Sequence, residues 1–118
     1  MPVIWRAMAE HADRLSMTQT AEVFEDMAGC DVLSSLLDGA RAIGRIQPLS
    51  ARCPIRIVWG ASDRTLPFTR YGRPLLAVLD GAELEFLAGV GHVPMIDDPA
   101  AVAGAIVRFV DQIEPRTS

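Results

Sequence analysis

The stretch Ile55–Asp63, IRIVWGASD, decides the fold class of this sequence. It opens with a short run of mostly β-branched and aromatic residues that Gly60 closes, a pattern typical of a buried strand. Farther along, Glu83–Leu87, ELEFL, alternates charged and apolar residues, which predicts a second strand near a sheet edge. A helix is predicted between them, over about 69–79. The order strand, helix, strand indicates a right-handed crossover and parallel pairing.

Two polar residues that follow these strands form the candidate site. Asp63 follows the first strand, and His92 follows the second within the stretch Leu87–Pro99, LAGVGHVPMIDDP. Parallel strands joined by a crossover end on the same side of their sheet, where ligands bind in open α/β folds. We therefore expect the two side chains to be neighbours. A carboxylate on one imidazole nitrogen fixes the tautomer and stabilises the imidazolium that forms when the other nitrogen takes a proton.

A further helix is predicted after the histidine. Asp98 is its expected N-cap, Pro99 occupies the first helical position, and the apolar periodicity continues to about residue 113. The residues expected on its inner face are Val102, Ile106, Phe109, Val110 and Ile113.

The first 45 residues are predicted to be helical. Apolar spacing predicts helices over about 3–15 and about 20–28, the second ending at Gly29, and a third helix from an N-cap at Asp31 to a stop at Gly44. The residues expected to face inward in the second and third helices are Val23, Phe24, Met27, Val32, Leu33, Leu36, Leu37, Ala40 and Ile43.

Composition excludes several classes of function. The chain has 118 residues, which is one domain or less, and carries a net charge of −4. It has no basic cluster, which argues against a nucleic-acid partner. No run approaches the roughly 18 apolar residues of a membrane span, and the amino terminus lacks the pattern of a signal peptide. Cys30 and Cys53 stand in no metal or redox spacing, so we expect reduced thiols in a cytoplasmic protein.

The motifs together resemble the α/β-hydrolase superfamily. The similar region runs from about Cys53 to Val110 and contains CPIRIVWGASDRTLP, a spacer helix, AELEFLAGVGHVPMIDDP and a terminal helix. The resemblance implies that Asp63 is the acid and His92 the catalytic histidine of a cofactor-free hydrolase acting on a small molecule. It implies a partial α/β-hydrolase fold, with 1–45 as the end of the cap and the helix leading to the acid strand, and 46–118 as the C-terminal part of the core.

The sequence departs from this family in one large respect. The nucleophile elbow, G-x-S-x-G, is absent. Ser62 lies in GASDR, which lacks the second glycine, so we interpret it as a loop residue. The chain is therefore expected to be the C-terminal part of a larger enzyme. The resemblance implies a serine nucleophile, or less often an aspartate, that attacks an ester, C–C, epoxide or halide substrate. A serine hydrolase acting on an ester or related small apolar substrate is the preferred interpretation. The N-terminal half contains no tyrosine, the cap acid of epoxide-opening relatives, which weakly disfavours that branch. The alternative is a non-catalytic remnant or a subunit that binds a missing half.

Several other residues have plainer interpretations. We expect Asp97 and Asp98 to be cap and first-turn charges of the last helix. His11 is expected on a helix surface. The residues that could line an apolar substrate pocket, or simply pack, are Trp5, Met8, Met17, Phe68 and Met95. The strand Ile55–Trp59 is expected to present an unpaired apolar edge that favours self-association.

Overall fold

The computed structural model describes residues 3–43 and 47–114. Its helices are α1 (Val3–Met8), α2 (Met17–Ala28), α3 (Leu33–Ile43), α4 (Gly72–Val78), α5 (Pro94–Asp97) and α6 (Pro99–Ile113), with a short 3-10 turn at Ala12–Arg14. Its strands are β1 (Arg56–Gly60) and β2 (Glu83–Leu87). Contacts divide the chain into two compact units, one comprising Met1–Arg14 together with Pro48–Ser118, and the other Leu15–Gln47.

The two strands form a parallel sheet, as the strand–helix–strand order predicts. The register pairs Arg56 with Glu83 and Gly60 with Leu87, so both strands end at the same level. The described residues therefore include both helices and a two-stranded parallel sheet, which is compatible with part of an α/β fold.

An aromatic row covers one face of the sheet. Trp59 and Phe86 are register partners, and Phe68 makes edge-to-face contacts with both, at ring-centroid distances of 5.5 and 4.8 Å. The backbone of Gly72 at the start of α4 lies directly over the Phe68 ring, where a side chain would collide with it. The predicted helix therefore begins at Gly72 rather than near residue 69, because the preceding residues form the turn that carries Phe68.

The β1 strand is less buried than the sequence pattern predicts. Val58 is 37 % exposed, and Gly60 is the only one of its five residues that is fully buried. Within residues 3–43 and 47–114, β1 pairs with β2 alone, so its second edge is unpaired there. None of the helices in those ranges is long and apolar enough to cross a membrane.

Helix α6 has the predicted bounds, but its inner face is narrower than predicted. Asp98 caps it by accepting a hydrogen bond from the Ala101 N–H at 2.9 Å. Ala105 and Val102 pack on Leu87 and Val90, which form the small core. The prediction was wrong for the residues that are 42–58 % exposed, Ile106, Val110 and Ile113. A sheet of two strands is too narrow to cover the whole apolar side of the helix.

The C-terminal half of α6 lies instead against charged side chains of the sheet. The guanidinium of Arg56 stacks over the Phe109 ring at 4.6 Å and pairs with Glu83, while Arg108 pairs with Glu85. The register places Arg56 of β1 opposite Glu83 of β2, so this ion pair joins the two strands, while the pair Arg108–Glu85 joins α6 to β2. Phe109 is therefore half-buried, and the guanidinium of Arg56 covers one face of its ring.

Helix α1 ends at Met8, well short of the predicted end near residue 15. The chain turns at Ala9–His11 before the 3-10 turn. The N–H groups of Glu10 and His11 donate to the side chain of Asp97 instead of to carbonyls one helical turn earlier. A continuous helix would require those same donors for itself, so the contact with Asp97 ends α1.

The unit Leu15–Gln47 contains α2 and α3. Helix α2 starts three residues before its predicted start, because Ser16 and Gln19 form a reciprocal capping box. Its end at Gly29 is as predicted. Helix α3 starts at Leu33, so Asp31 lies one residue too early to be its N-cap, and the predicted stop at Gly44 lies outside the described residues.

The predicted burial of apolar residues in this unit was wrong. Phe24 and Met27 on α2 are 42 % and 47 % exposed. The α3 residues that are 40–62 % exposed are Val32, Leu33, Leu36 and Leu37, with Val32 immediately before the helix. Val23 is half-buried, and the side chains of Ala40 and Ile43 lie outside the described set. Helical periodicity correctly groups apolar residues on one side, but two helices alone cannot enclose that side.

Candidate functional site

Asp63 is held rigidly in the loop after β1. Its Oδ1 accepts two backbone hydrogen bonds, from the N–H of Thr65 at 3.0 Å and of Leu66 at 2.8 Å. These bonds form a tight turn around the carboxylate, whose side chain is only 6 % exposed. The second oxygen, Oδ2, is thereby aimed away from its own loop.

His92 lies opposite that second oxygen. Its Nδ1 is 3.1 Å from Asp63 Oδ2, and its side chain is 30 % exposed. The predicted proximity of the two side chains is therefore confirmed. A carboxylate beside Nδ1 favours the tautomer with a proton on that nitrogen, which leaves Nε2 able to accept a proton from another group. The geometry suits a general base, and the catalytic role of the pair stays a prediction.

Backbone hydrogen bonds join the acid loop to the histidine loop. The N–H of Ala61 donates to the Leu87 carbonyl and that of Ser62 to the Val90 carbonyl, both at 2.9 Å. These bonds extend the parallel pairing beyond the ends of the strands. The half-buried Ser62 is thus fixed in the loop by its backbone, as its interpretation as a loop residue predicts.

Gly60 allows the two loops to approach this closely. A Cβ atom at this position would lie 2.2 Å from the Gly91 carbonyl oxygen and 2.7 Å from that of Val90. Both obstructing atoms belong to the main chain, so a side chain could be accommodated only if the histidine loop moved.

Substituting alanine for Gly60 is expected to destabilise the fold by about 1–3 kcal/mol, the usual effect of overpacking. Urea unfolding followed by circular dichroism measures this loss. Gly39→Ala is the matched control, because a Cβ there meets nothing within 4 Å and alanine is favoured in a helix. Equal stability of the two variants would contradict the close approach of the loops.

Asp97 has a structural role beside the candidate site that the sequence interpretation missed. Predicted as a first-turn charge, it is instead completely buried, with 0 % of its surface exposed. Its Oδ2 accepts the N–H of Gly91 at 2.6 Å and of Glu10 at 3.0 Å, and its Oδ1 accepts that of His11 at 2.5 Å. The carboxylate thus binds the histidine loop and the Ala9–His11 turn at once.

The hydrogen bonds around Asp97 decide its protonation. Burial alone raises the pKa of the carboxyl group, but the backbone N–H groups of Gly91, His11 and Glu10 lower it, and the net pKa lies below the ordinary value. Asp97 is therefore a buried carboxylate at neutral pH. His11, expected on a helix surface, lies half-buried in the turn that supplies one of these donors.

The acid loop also holds α1 in place. Arg64 bonds the Arg6 carbonyl oxygen through Nη2 at 2.7 Å and the Glu10 carboxylate through Nη1 at 2.6 Å. The hydroxyl of Thr65 donates to the Ala7 carbonyl at 2.7 Å. Hydrogen bonds therefore connect the acid loop to α1 and to the turn that follows α1.

A cavity of about 220 Å³ opens beside the pair. It is lined by Val58, Trp59, Gly60, Asp63, Leu66, His92 and Pro94. The indole N–H of Trp59 donates to the Leu66 carbonyl at 3.2 Å, which fixes the ring in the wall. The cavity therefore combines an apolar wall with one carboxylate and one imidazole, a composition typical of small-molecule sites.

Of the predicted apolar pocket residues, the four whose side chains are described do not line this cavity: Met8, Met17, Phe68 and Met95. Phe68 packs inside the aromatic row, Met95 is 57 % exposed, and Met17 is 85 % exposed in the other unit. Met8 contributes its carbonyl oxygen, which accepts the Val93 N–H at 2.8 Å. The side chain of Trp5 lies outside the described set.

Cys30 and Cys53 are both free and exposed.

Sequence comparison finds a distant similarity between this chain and one epoxide hydrolase. Over 105 residues it is 30 % identical to epoxide hydrolase EphH of Mycobacterium tuberculosis, a match that covers 87 % of this chain and 49 % of that protein. Over 67 residues it is 39 % identical to uncharacterized proteins of Mycobacterium tuberculosis and Mycobacterium bovis, covering 57 % of this chain and 19 % of each relative. The chain thus spans about half the length of one relative and about a fifth of the others. No family model matches the sequence.

Proposed function

We propose that the chain carries the acid and the histidine of an α/β-fold hydrolase. In this proposal His92 is the general base and Asp63 orients it and stabilises its protonated form. The observation that carries the proposal is the 3.1 Å contact between His92 Nδ1 and Asp63 Oδ2, with the other carboxylate oxygen held by two backbone N–H groups. The distant similarity to an epoxide hydrolase supports the same class of enzyme.

The proposed chemistry requires a nucleophile that this sequence does not supply in an elbow motif. His92 Nε2 takes the proton of a serine hydroxyl as its oxygen attacks the substrate, and the imidazolium then gives a proton to the leaving group. The negative charge of Asp63 stabilises the imidazolium between these two transfers. With a carboxylate nucleophile, Nε2 would instead take a proton from the water that cleaves the covalent intermediate.

The apolar cavity wall supports a small, largely apolar substrate. Trp59, Leu66 and Pro94 present hydrocarbon surface next to the two polar groups, which suits an ester with short apolar substituents. An epoxide is the second candidate, and the similarity to EphH favours it. The absence of tyrosine from residues 1–45 favours the ester.

A chimera tests the proposal, with this chain replacing the part of EphH that it matches. We expect it to hydrolyse short-chain activated esters or simple epoxides, because EphH supplies the missing part of the enzyme and this chain supplies His92 and Asp63. Circular dichroism and gel filtration establish that the chimera is folded. A folded chimera that hydrolyses neither class at a rate above its His92→Ala variant would contradict the proposal.

The 118-residue chain alone is expected to show no ester hydrolysis above a His92→Ala control. A general base accelerates the reaction by about 10²–10⁴-fold, but only when a nucleophile is present for it to activate. An oxyanion hole supplies much of the remaining rate enhancement. Stopped-flow assays with an activated ester measure this. A burst of product release, together with an acyl group attached to Ser62, would show instead that Ser62 is a nucleophile.

The alternative proposal is a non-catalytic remnant or a subunit that associates with a missing half. The unpaired edge of β1 and the exposed apolar residues of α6, such as Ile106 and Val110, favour it. If this alternative holds, the isolated chain self-associates or aggregates, as measured by size-exclusion chromatography with light scattering. A sharp monomer peak at 12.8 kDa together with a cooperative melt would contradict this expectation.

A further inference from the structure

We infer that Asp97 is a positioning residue for His92, acting through the main chain rather than by touching the reacting atoms. The inference rests on the proposed function, because it assigns Asp97 to the same site. It starts from a completely buried carboxylate that accepts three backbone N–H groups from two segments far apart in sequence.

Asp97 closes the loop that contains His92. The side chain of Asp97 reaches back six residues to the Gly91 N–H at 2.6 Å. Between these two residues the chain makes the single turn of α5, in which the Ile96 N–H donates to Val93 and the Asp98 N–H to Pro94. The hydrogen bond from Gly91 to the Asp97 carboxylate therefore closes a ring formed by residues 91–97. His92 lies in this ring, next to Gly91.

This ring of chain is anchored on the segment Met8–Arg14. Asp97 binds the N–H groups of Glu10 and His11, and the Val93 N–H donates to the Met8 carbonyl at 2.8 Å. Arg14 donates to the backbone oxygen of Asp97. The residues on both sides of His92 are thus fixed to the Met8–Arg14 segment.

Gly91 lies against the backbone of Met8, Ala9 and Glu10. A Cβ there would lie 3.0 Å from the Glu10 nitrogen and 3.2 Å from the Met8 carbonyl oxygen, so the two backbones are in tight contact. Asp97 supplies the polar partner that allows these N–H groups to be buried in such a contact. Without it the histidine loop would lose the bond that sets its distance from the turn, and the Nδ1 atom of His92 would no longer be held 3.1 Å from Asp63.

The test measures the tautomer of His92. If the role of Asp97 were purely structural, the tautomer would be unchanged in a folded variant of Asp97. The chain has only two histidines, so nitrogen NMR of the imidazoles is simple, and His11→Gln assigns the signals while keeping the His11 backbone N–H. In the wild type at mildly alkaline pH we expect His92 to carry its proton on Nδ1, facing Asp63. In Asp97→Asn, which keeps the side-chain size, we expect Nε2–H to become the major form, as in a free imidazole.

The control and the contrary outcomes are defined by the same spectra. Asp98→Asn changes the neighbouring carboxylate, which caps α6, and should leave the Nδ1–H form dominant. A folded Asp97→Asn with an unchanged His92 tautomer would overturn the inference, and so would rapid solvent exchange of the Gly91 amide in the wild type. If Asp97→Asn does not fold, Asp97 supports the whole fold rather than the loop, and the inference is again overturned. A changed tautomer with no hydrolysis by the chimera would refute the proposed function alone.

Discussion

Replacing Asp97 with alanine is expected to lower the free energy of unfolding by about 3–5 kcal/mol, a large part of the stability of a small domain. The carboxylate is fully buried and accepts the N–H groups of Gly91, Glu10 and His11. Alanine leaves these donors without an acceptor, and each buried unsatisfied donor costs about 1–3 kcal/mol. Relaxation of the turn and entry of water lower the total below the simple sum. Chemical denaturation followed by circular dichroism measures the loss.

Asp98→Ala is the matched control for this experiment. It removes a carboxylate from the adjacent residue, where the side chain accepts one hydrogen bond as the N-cap of α6. The loss of an N-cap costs about 0.5–2 kcal/mol. Similar losses for the two variants would mean that the three-donor site around Asp97 does not form.

The stabilisation by Asp97 is also expected to depend on pH. Because its pKa in the folded chain lies below that of an unfolded aspartate, about 3.9, the folded state binds the proton less readily. The stabilisation is fully present above the unfolded pKa and is lost as the pH falls through the lower folded pKa. The stability difference between the wild type and Asp97→Asn should therefore be constant near neutral pH and shrink below about pH 4. A difference that grows in acid would contradict the direction of the shift.

The parts of the fold that sequence predicted well are those with a strong local signal. Glu83–Leu87 alternates and is bounded by turn residues, and Pro99–Ile113 starts with an Asp-Pro pair. The proximity of Asp63 and His92 followed from a single topological rule, that parallel strands joined by a crossover end together. None of these predictions required knowledge of contacts between residues far apart in the sequence.

Asp97 could not be assigned in this way, because its partners are distant in sequence. Glu10 and His11 are 87 and 86 residues away, and no local pattern connects them with the histidine loop. One signal was available: only one residue of the pair Asp97–Asp98 can be the N-cap before Pro99, so the other required its own explanation. The same limit accounts for the exposed apolar residues of α2, α3 and α6, since periodicity identifies an apolar side but not what covers it.

Within the active chimera, His92→Ala is expected to reduce kcat/KM by about 10⁴-fold or more, which is at least about 5.5 kcal/mol of transition-state stabilisation. Asp63→Asn should have a loss of similar order although it keeps the size of the side chain. The asparagine amide can donate to Nδ1 and so favours the proton on Nε2, the nitrogen that must accept one. Because both residues serve the same proton transfer, the double variant should be no worse than His92→Ala alone. Steady-state kinetics of the three variants test this, with Asp98→Asn as a control that should retain activity. Additive losses in the double variant would mean that Asp63 and His92 act separately, and that their 3.1 Å contact is not the catalytic one.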